Sequence, residues 1–314
     1  MGFLWWFLGI AAFLAAAVFL IAYICYRMAF YAPPRQPLGE KIEIPAGDIY
    51  EPYRDVMESW AREVRKMPCE TFSVTAFDGL KLTGKYYEYA PNAPIELMFH
   101  GYRGSAERDL PGGVQRCFKL GHSVLMADQR CSGNSEGHTI TFGIYEHLDC
   151  LRWVDFMVSH FGKDVKIILT GISMGAATVL MASGKKLPKN VIGVLADCGY
   201  NSPKAIIQKV IAQMDLPVKL SYPFVKFAAR IYGGFDLEGF SPIEAVKNAT
   251  VPVIFFHGED DDFVPCDMSR EMYELCPTRK KLVTIPGAGH GLSYPVAPEA
   301  YLTALREFFK EETL

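Results

Sequence analysis

The chain lacks a C-x-x-C pair, and none of its eight cysteines falls into a zinc-type spacing, so the sequence offers no zinc module. It also lacks disulfide dependence. At 314 residues, half of them hydrophobic, it buries a core large enough to stand without staples. The cysteines therefore read as reduced and mostly buried, which favours a reducing compartment. There is no basic excess: 32 Lys and Arg face 35 Asp and Glu, a net charge of −3, which argues against a nucleic-acid partner. Length alone allows one large domain or two small ones. The last absence is local, since no charged residue occurs from Met1 to Tyr26.

That uncharged run is long enough to cross a hydrocarbon core of about 30 Å as a helix. A cleaved signal peptide would have a basic start, about 7–15 apolar residues and a small-x-small exit. Here the start is not basic, the apolar run is too long, and "RMAFYAPPRQ" has no clean cleavage site. The expectation is a retained anchor over 1–27, with Trp5 and Trp6 at one interface and Tyr23, Tyr26 and Arg27 at the other. Arg27, Arg35 and Lys41 follow the span and no Lys or Arg precedes it. By the positive-inside rule the carboxyl-terminal bulk is then cytoplasmic.

"APPRQPLGEKIEIPAGD" reads as a Pro-rich tether, closing a linker over 28–48, before a domain over 49–314. "YEPYRDVMESWAREVRKM" has helical periodicity and is expected on the domain edge. "ETFSVTAFDGLKLTGKYYEY" reads as two strands turned at Asp78-Gly79. Short apolar runs follow: "IELMFHG", "HSVLMADQR", "VKIILTGIS", "VIGVLADCG", "VPVIFFHG" and "KLVTIPGAG", with helical stretches between them. This alternation predicts an α/β fold, a mostly parallel central sheet with helices on both faces and ligands at the carboxyl ends of the strands. The stretch at about 200–247 breaks the alternation and is expected to form a small helical lid over those ends. Within it Phe224, Phe227, Ala228 and Ile231 share one helical face, and Lys219, Lys226 and Arg230 another. The first face is expected on the lid's own core; contact with the membrane interface is the alternative.

The chemistry sits at the strand ends. "GISMG" is G-x-S-x-G between strand-like "KIILT" and helix-forming "AATVLMA", the context of a nucleophile elbow. Gly171 and Gly175 remove side chains that would clash in the strained turn exposing Ser173. The Met174 N–H at the helix start is placed to stabilise an oxyanion. A serine nucleophile needs a base, and the base an orienting acid. Of seven histidines, His122 and His160 lie near element boundaries, and His138 and His147 lack a local partner pattern. His100 and His257 each precede a glycine at a strand end. His290 lies apart, in the Gly-rich loop "IPGAGHGLS" after the last strand. For the acid, "FFHGEDDDFVP" offers Glu259, Asp260, Asp261 and Asp262; four adjacent carboxylates cannot all be buried, so most are solvated.

"HGEDDDFVP" resembles the H-G-x-x-D-x-x-V-P segment of α/β-hydrolases, whose Asp is the triad acid. Anchored on His257 and Val264-Pro265, the resemblance selects Asp261; Asp197 in "LADCGY" is the rival acid position. The family's chain order, Ser then acid then His, makes His290 the base. "FHGYRGS" resembles its His-Gly oxyanion segment, which makes the Tyr102 N–H the second donor beside Met174. "ADQRCSGNSEG" resembles the D-x-R-G-x-G-x-S-x-G turn but carries Cys131 where glycine is usual, a departure that bears on the local backbone angles. Asp128 and Arg130 there are expected as a structural ion pair or turn anchor.

The resemblance runs from about Glu70 to Phe309 and points to membrane-anchored bacterial serine hydrolases of a prolyl-oligopeptidase-like branch. It implies acyl-enzyme catalysis on a small ester or acyl substrate, with no metal or organic cofactor. The insert's Phe, Tyr, Ile and Val favour carboxylic esters with apolar acyl groups. Alternatives are a small peptidase or amidase, an acyltransferase, or a non-catalytic binding protein on the same fold. Against a prolyl endopeptidase, the chain leaves no room for a propeller domain.

Overall fold

The structure, a computed structural model, describes residues 2–33 and 41–313. Eight strands form one sheet: β1 Glu70–Thr75, β2 Lys81–Tyr87, β3 Ile95–Phe99, β4 Ser123–Ala127, β5 Ile167–Ile172, β6 Val191–Asp197, β7 Val253–Gly258 and β8 Lys280–Ile285. Their order is β1-β2-β4-β3-β5-β6-β7-β8. β1 pairs antiparallel with β2 and β2 with β4; every later pairing is parallel. The hairpin turns at Asp78-Gly79, as its turn residues predict, with Gly79 at φ 88°.

β3, β4 and β7 are buried at every position. Helices cover both faces of these strands, which accounts for continuous apolar runs rather than alternation. The strand order reverses between β3 and β5, where β4 lies to one side of β3 and the chain then crosses over to β5 on the other. A crevice opens at such a switch point, at the carboxyl ends of the strands.

The expected turn anchors hold different partners. Arg130 does not pair with Asp128. Its guanidinium is buried and donates in bidentate fashion to Asp149, at 2.7 Å to each oxygen, and to Asp78 at 2.9 Å. Asp128 accepts from the backbone N–H groups of Ala106 and Asn134 at 3.1 and 3.2 Å. Cys131 adopts φ 67°, a left-handed angle that explains why glycine suits this position. Without Asp149 the buried guanidinium keeps only the partly exposed Asp78 as a carboxylate partner. Asp149→Ala is therefore expected to lower the unfolding free energy by about 3 kcal/mol, read by denaturant titration at pH 7.

The segment expected to form a lid contains two helices, Pro203–Gln213 and Val218–Ile231. The first begins at Ser202, whose hydroxyl accepts from the Ala205 N–H at 3.1 Å, with proline at the first helical position. The second buries Tyr222, Val225, Ala228 and Ala229, whereas Ile231 is 49% exposed. The expected face is thus rotated. This helix is sandwiched, with one side on the domain and the other on the amino-terminal helix, where Phe227 meets Phe19 at a ring separation of 5.6 Å.

The amino-terminal helix runs Gly2–Ala29 and is long and apolar enough to cross a membrane. It ends two residues beyond the expected anchor. Phe30 and Ala32 pack into the domain, and Tyr31 bridges to Thr139, so the linker's first residues are docked rather than free. The central part of the expected tether, 34–40, lies outside the described residues. The helix Arg54–Lys66 occupies the domain edge as its periodicity predicts, burying Ala61 and Val64. All eight cysteines are free thiols, five of them buried and Cys69 exposed.

Candidate active site

Ser173 follows β5 directly and precedes the helix Met174–Ser183. Its backbone sits at φ 55°, ψ −117°, a strained conformation costing about 1–3 kcal/mol, held by its N–H donating to the Asp197 carbonyl at 2.8 Å. The flanking glycines are required sterically. A Cβ on Gly171 would lie 2.1 Å from the Gly175 carbonyl oxygen, and one on Gly175 would lie 2.0 Å from the Phe99 carbonyl oxygen. Backbone cannot yield at such separations, so Gly175→Ala is expected to destroy the elbow. The measurement is soluble yield together with ester turnover, and near-normal values of both would contradict the geometry.

The sheet brings three side chains from separate strand ends into one line. The His290 Nε2 lies 2.9 Å from Ser173 Oγ, and His290 Nδ1 lies 2.7 Å from Asp261 Oδ2. In the tautomer satisfying both, Nδ1–H donates to the carboxylate and Ser173 Oγ–H donates to Nε2. Asp261 is buried, and its other oxygen accepts from the Phe263 and Val264 N–H groups at 3.0 and 2.8 Å. Burial alone would raise the Asp261 carboxyl. Hydrogen bonding by His257 and His290 overcomes that and holds it at about 2. Asp260 and Asp262 point into solvent. The rival Asp197 is fully buried, accepts from Ser293 and Tyr301 hydroxyls at 2.8 and 3.0 Å, and orients no imidazole.

The loop after β3 closes the other side of Ser173. A Cβ on Gly101 would stand 3.5 Å from Ser173 Cβ, so the His100-Gly101-Tyr102 backbone runs beside Ser173. The N–H groups of Tyr102 and Met174 make no hydrogen bond among the described residues, leaving both available as donors. The Tyr102 side chain has its own role: its hydroxyl donates to the Ala29 carbonyl at 2.8 Å, tying this loop to the amino-terminal helix. Next to it, Arg103 donates to the carbonyls of Met28 at 2.9 Å and Tyr31 at 3.1 Å.

Two supporting residues escaped the sequence reading. His257 Nε2 lies 3.3 Å from Asp261 Oδ2 and donates to the Val264 carbonyl at 2.8 Å, while Ser269 Oγ lies 2.7 Å from its Nδ1. The acid therefore has a second imidazole behind it. Tyr50, from the segment preceding the helix Arg54–Lys66, donates its hydroxyl to the His290 carbonyl at 3.0 Å and fixes the base's loop. His100 is structural, with Nε2 accepting from the Gln129 N–H at 3.0 Å. So is buried His122, 3.0 Å from Glu96. Cys198 lies close enough to Asp261 and His290 for three ligand atoms to converge. Burial pushes its thiol well above the usual range, and the other two atoms are committed to each other, so the trio suits a metal poorly.

A cavity of about 200 Å³ adjoins Ser173, walled by Phe142 and by Ile207, Val210, Ile211 and Val225 of the lid. A largely buried imidazole bonded to a serine on a strained elbow, two amides without a hydrogen bond among the described residues and an apolar cavity define the class: an α/β hydrolase. The chain belongs to the alpha/beta hydrolase family, whose sequence pattern matches residues 97–304. It is 28% identical to Bacillus subtilis YqkD over 257 residues, covering 81% of this chain and 82% of that protein. It is 27% identical over 201 residues to YNL320W, a Saccharomyces cerevisiae membrane protein, covering 62% of this chain and 63% of that one. An esterase of Pyrococcus furiosus shares the fold, with a TM-score of 0.63 at 24% identity over 87% of this chain and 99% of the esterase.

Proposed function

We propose that the protein is a serine hydrolase of carboxylic esters that works through an acyl-enzyme intermediate. The observation carrying this reading is the hydrogen-bonded line from Asp261 through His290 to Ser173 at the crevice. His290 Nε2 takes the Ser173 proton as Oγ attacks the ester carbonyl, and the negative charge moves to the carbonyl oxygen. The Tyr102 and Met174 amides meet that oxygen; losing one such donor typically costs about 2.7–4 kcal/mol of transition-state stabilisation. His290 then gives its proton to the departing alkoxide, and a water it activates in turn releases the acid and regenerates Ser173. Asp261 holds the imidazole tautomer and stabilises the imidazolium. The apolar cavity beside Ser173 favours an apolar acyl group. A series of p-nitrophenyl esters of increasing chain length, run beside proline and alanine anilides, tests the reading: turnover of the anilides alone would make it a peptidase.

The same proposal has residues 1–27 as a membrane anchor, followed by a linker to residue 48 and a catalytic domain with its lid at about 200–247. The cationic flank Arg27, Arg35 and Lys41 supports a cytoplasmic domain. Protease protection in sealed inside-out and right-side-out vesicles distinguishes the two orientations, and digestion of the domain only from outside the cell would reverse the assignment.

A further inference from the structure

The amino-terminal helix does more than carry the domain: its last turns are part of the cavity beside Ser173. Cys25, Met28 and Ala29 line that cavity opposite the lid. The carbonyls of Met28, Ala29 and Tyr31 hold Arg103 and Tyr102, the latter being the proposed oxyanion donor. The anchor therefore shapes the site on two sides.

The apolar stretch long enough to cross a membrane runs Phe3–Ala29, so Phe19 and the residues after it belong to it. Those residues hold the second lid helix. Phe227 meets Phe19 at 5.6 Å, Tyr232 meets Tyr23 at 5.4 Å, and the Tyr232 hydroxyl donates to the Phe19 carbonyl at 3.0 Å. The second lid helix thereby packs directly against the candidate span. These contacts run in the same direction along both helices, so the lid's preceding turn lies on the bilayer side. That turn exposes Met214 (46%), Leu216 (45%) and Leu220 (66%), a large apolar exposure for a lid tip in water. Met214 and Leu216 also line the cavity, so its wall and its membrane-side rim share residues.

We propose that the cavity receives the acyl chain of a single-chain lipid ester taken from the bilayer, passing between the membrane helix and the lid to reach Ser173. This rests on the serine-hydrolase reading and names its substrate class. A lining that is apolar apart from a few hydroxyls suits an acyl chain.

The test uses the full-length protein in phosphatidylcholine vesicles carrying either 1-oleoylglycerol or 1-oleoyl-lysophosphatidylglycerol, with soluble p-nitrophenyl butyrate as reference. Oleate release is expected from at least one vesicle-borne ester, and comparison of the two identifies the headgroup. Ala29→Phe and Val225→Phe, which fill the cavity from opposite walls, are each expected to lower the oleoyl-to-butyryl ratio of kcat/KM by about tenfold or more. Leu220→Glu, on the exposed tip outside the cavity, should raise KM for the vesicle-borne ester more than for the butyrate. Butyrate turnover without oleate release, or a ratio unmoved by both fillings, overturns the lipid assignment and leaves the hydrolase reading intact. No turnover of any ester and no labelling by a fluorophosphonate overturns both.

Discussion

Ser173→Ala abolishes labelling by a fluorophosphonate probe and lowers kcat on an ester by roughly 10⁴- to 10⁶-fold, the range expected when a triad member is lost. The size follows from the roles in the chain of hydrogen bonds. Without Oγ no acyl-enzyme forms, and the oxyanion donors can act only on direct attack by water. His290→Ala should fall in the same range, and the double variant should be little worse than either single one, because the pair acts as a unit. Stability is not the confounding factor. Alanine at residue 173 keeps the Cβ and the strained φ of 55°, and the backbone bond to the Asp197 carbonyl survives. Labelling that persists in Ser173→Ala would place the nucleophile elsewhere and end the assignment.

The residues of this site were legible in the sequence because the fold family fixes their order along the chain. A strand end supplies each one, and glycine is forced at 171 and 175 because a Cβ there would stand 2.1 and 2.0 Å from a carbonyl oxygen. The sheet was legible for a similar reason, since strands buried on both faces leave uninterrupted apolar runs. What remained hidden depends on packing between distant segments. His257 looked like a motif anchor, and nothing local shows that its ring reaches Asp261 at 3.3 Å. Tyr50 lies 240 positions from the loop it pins. The lid helix was assigned one apolar face from its periodicity. It has two partners, and periodicity cannot tell a core-facing stripe from one that meets the amino-terminal helix. Arg130 was given the nearest acid in sequence, whereas the fold delivers Asp149 from the following helix.

Asp261→Asn is expected to lower kcat by about 10⁴-fold, while Asp260→Asn and Asp262→Asn stay within a few-fold of the wild type. The three carboxylates are adjacent in sequence, but only Asp261 is buried against the base. An amide there retains acceptance from the Phe263 and Val264 N–H groups through its oxygen, and it then presents NH₂ to His290 Nδ1. That favours the tautomer whose proton is on Nε2, which cannot accept from Ser173. Equal effects at all three positions would mean that the register of the acidic run is wrong. The pH dependence separates the two functions of the carboxylate. Its folded value of about 2 lies below the unfolded value of about 3.9. The stabilisation it provides is therefore complete above about pH 4 and is lost as pH falls through about 2. Asparagine does not titrate, so Asp261→Asn should flatten acid unfolding across that window, measured by circular dichroism. Asp261 stays ionised throughout the pH range in which an ester hydrolase is assayed. An acid limb of kcat/KM that disappears in Asp261→Asn would assign that limb to the carboxylate and contradict its low value.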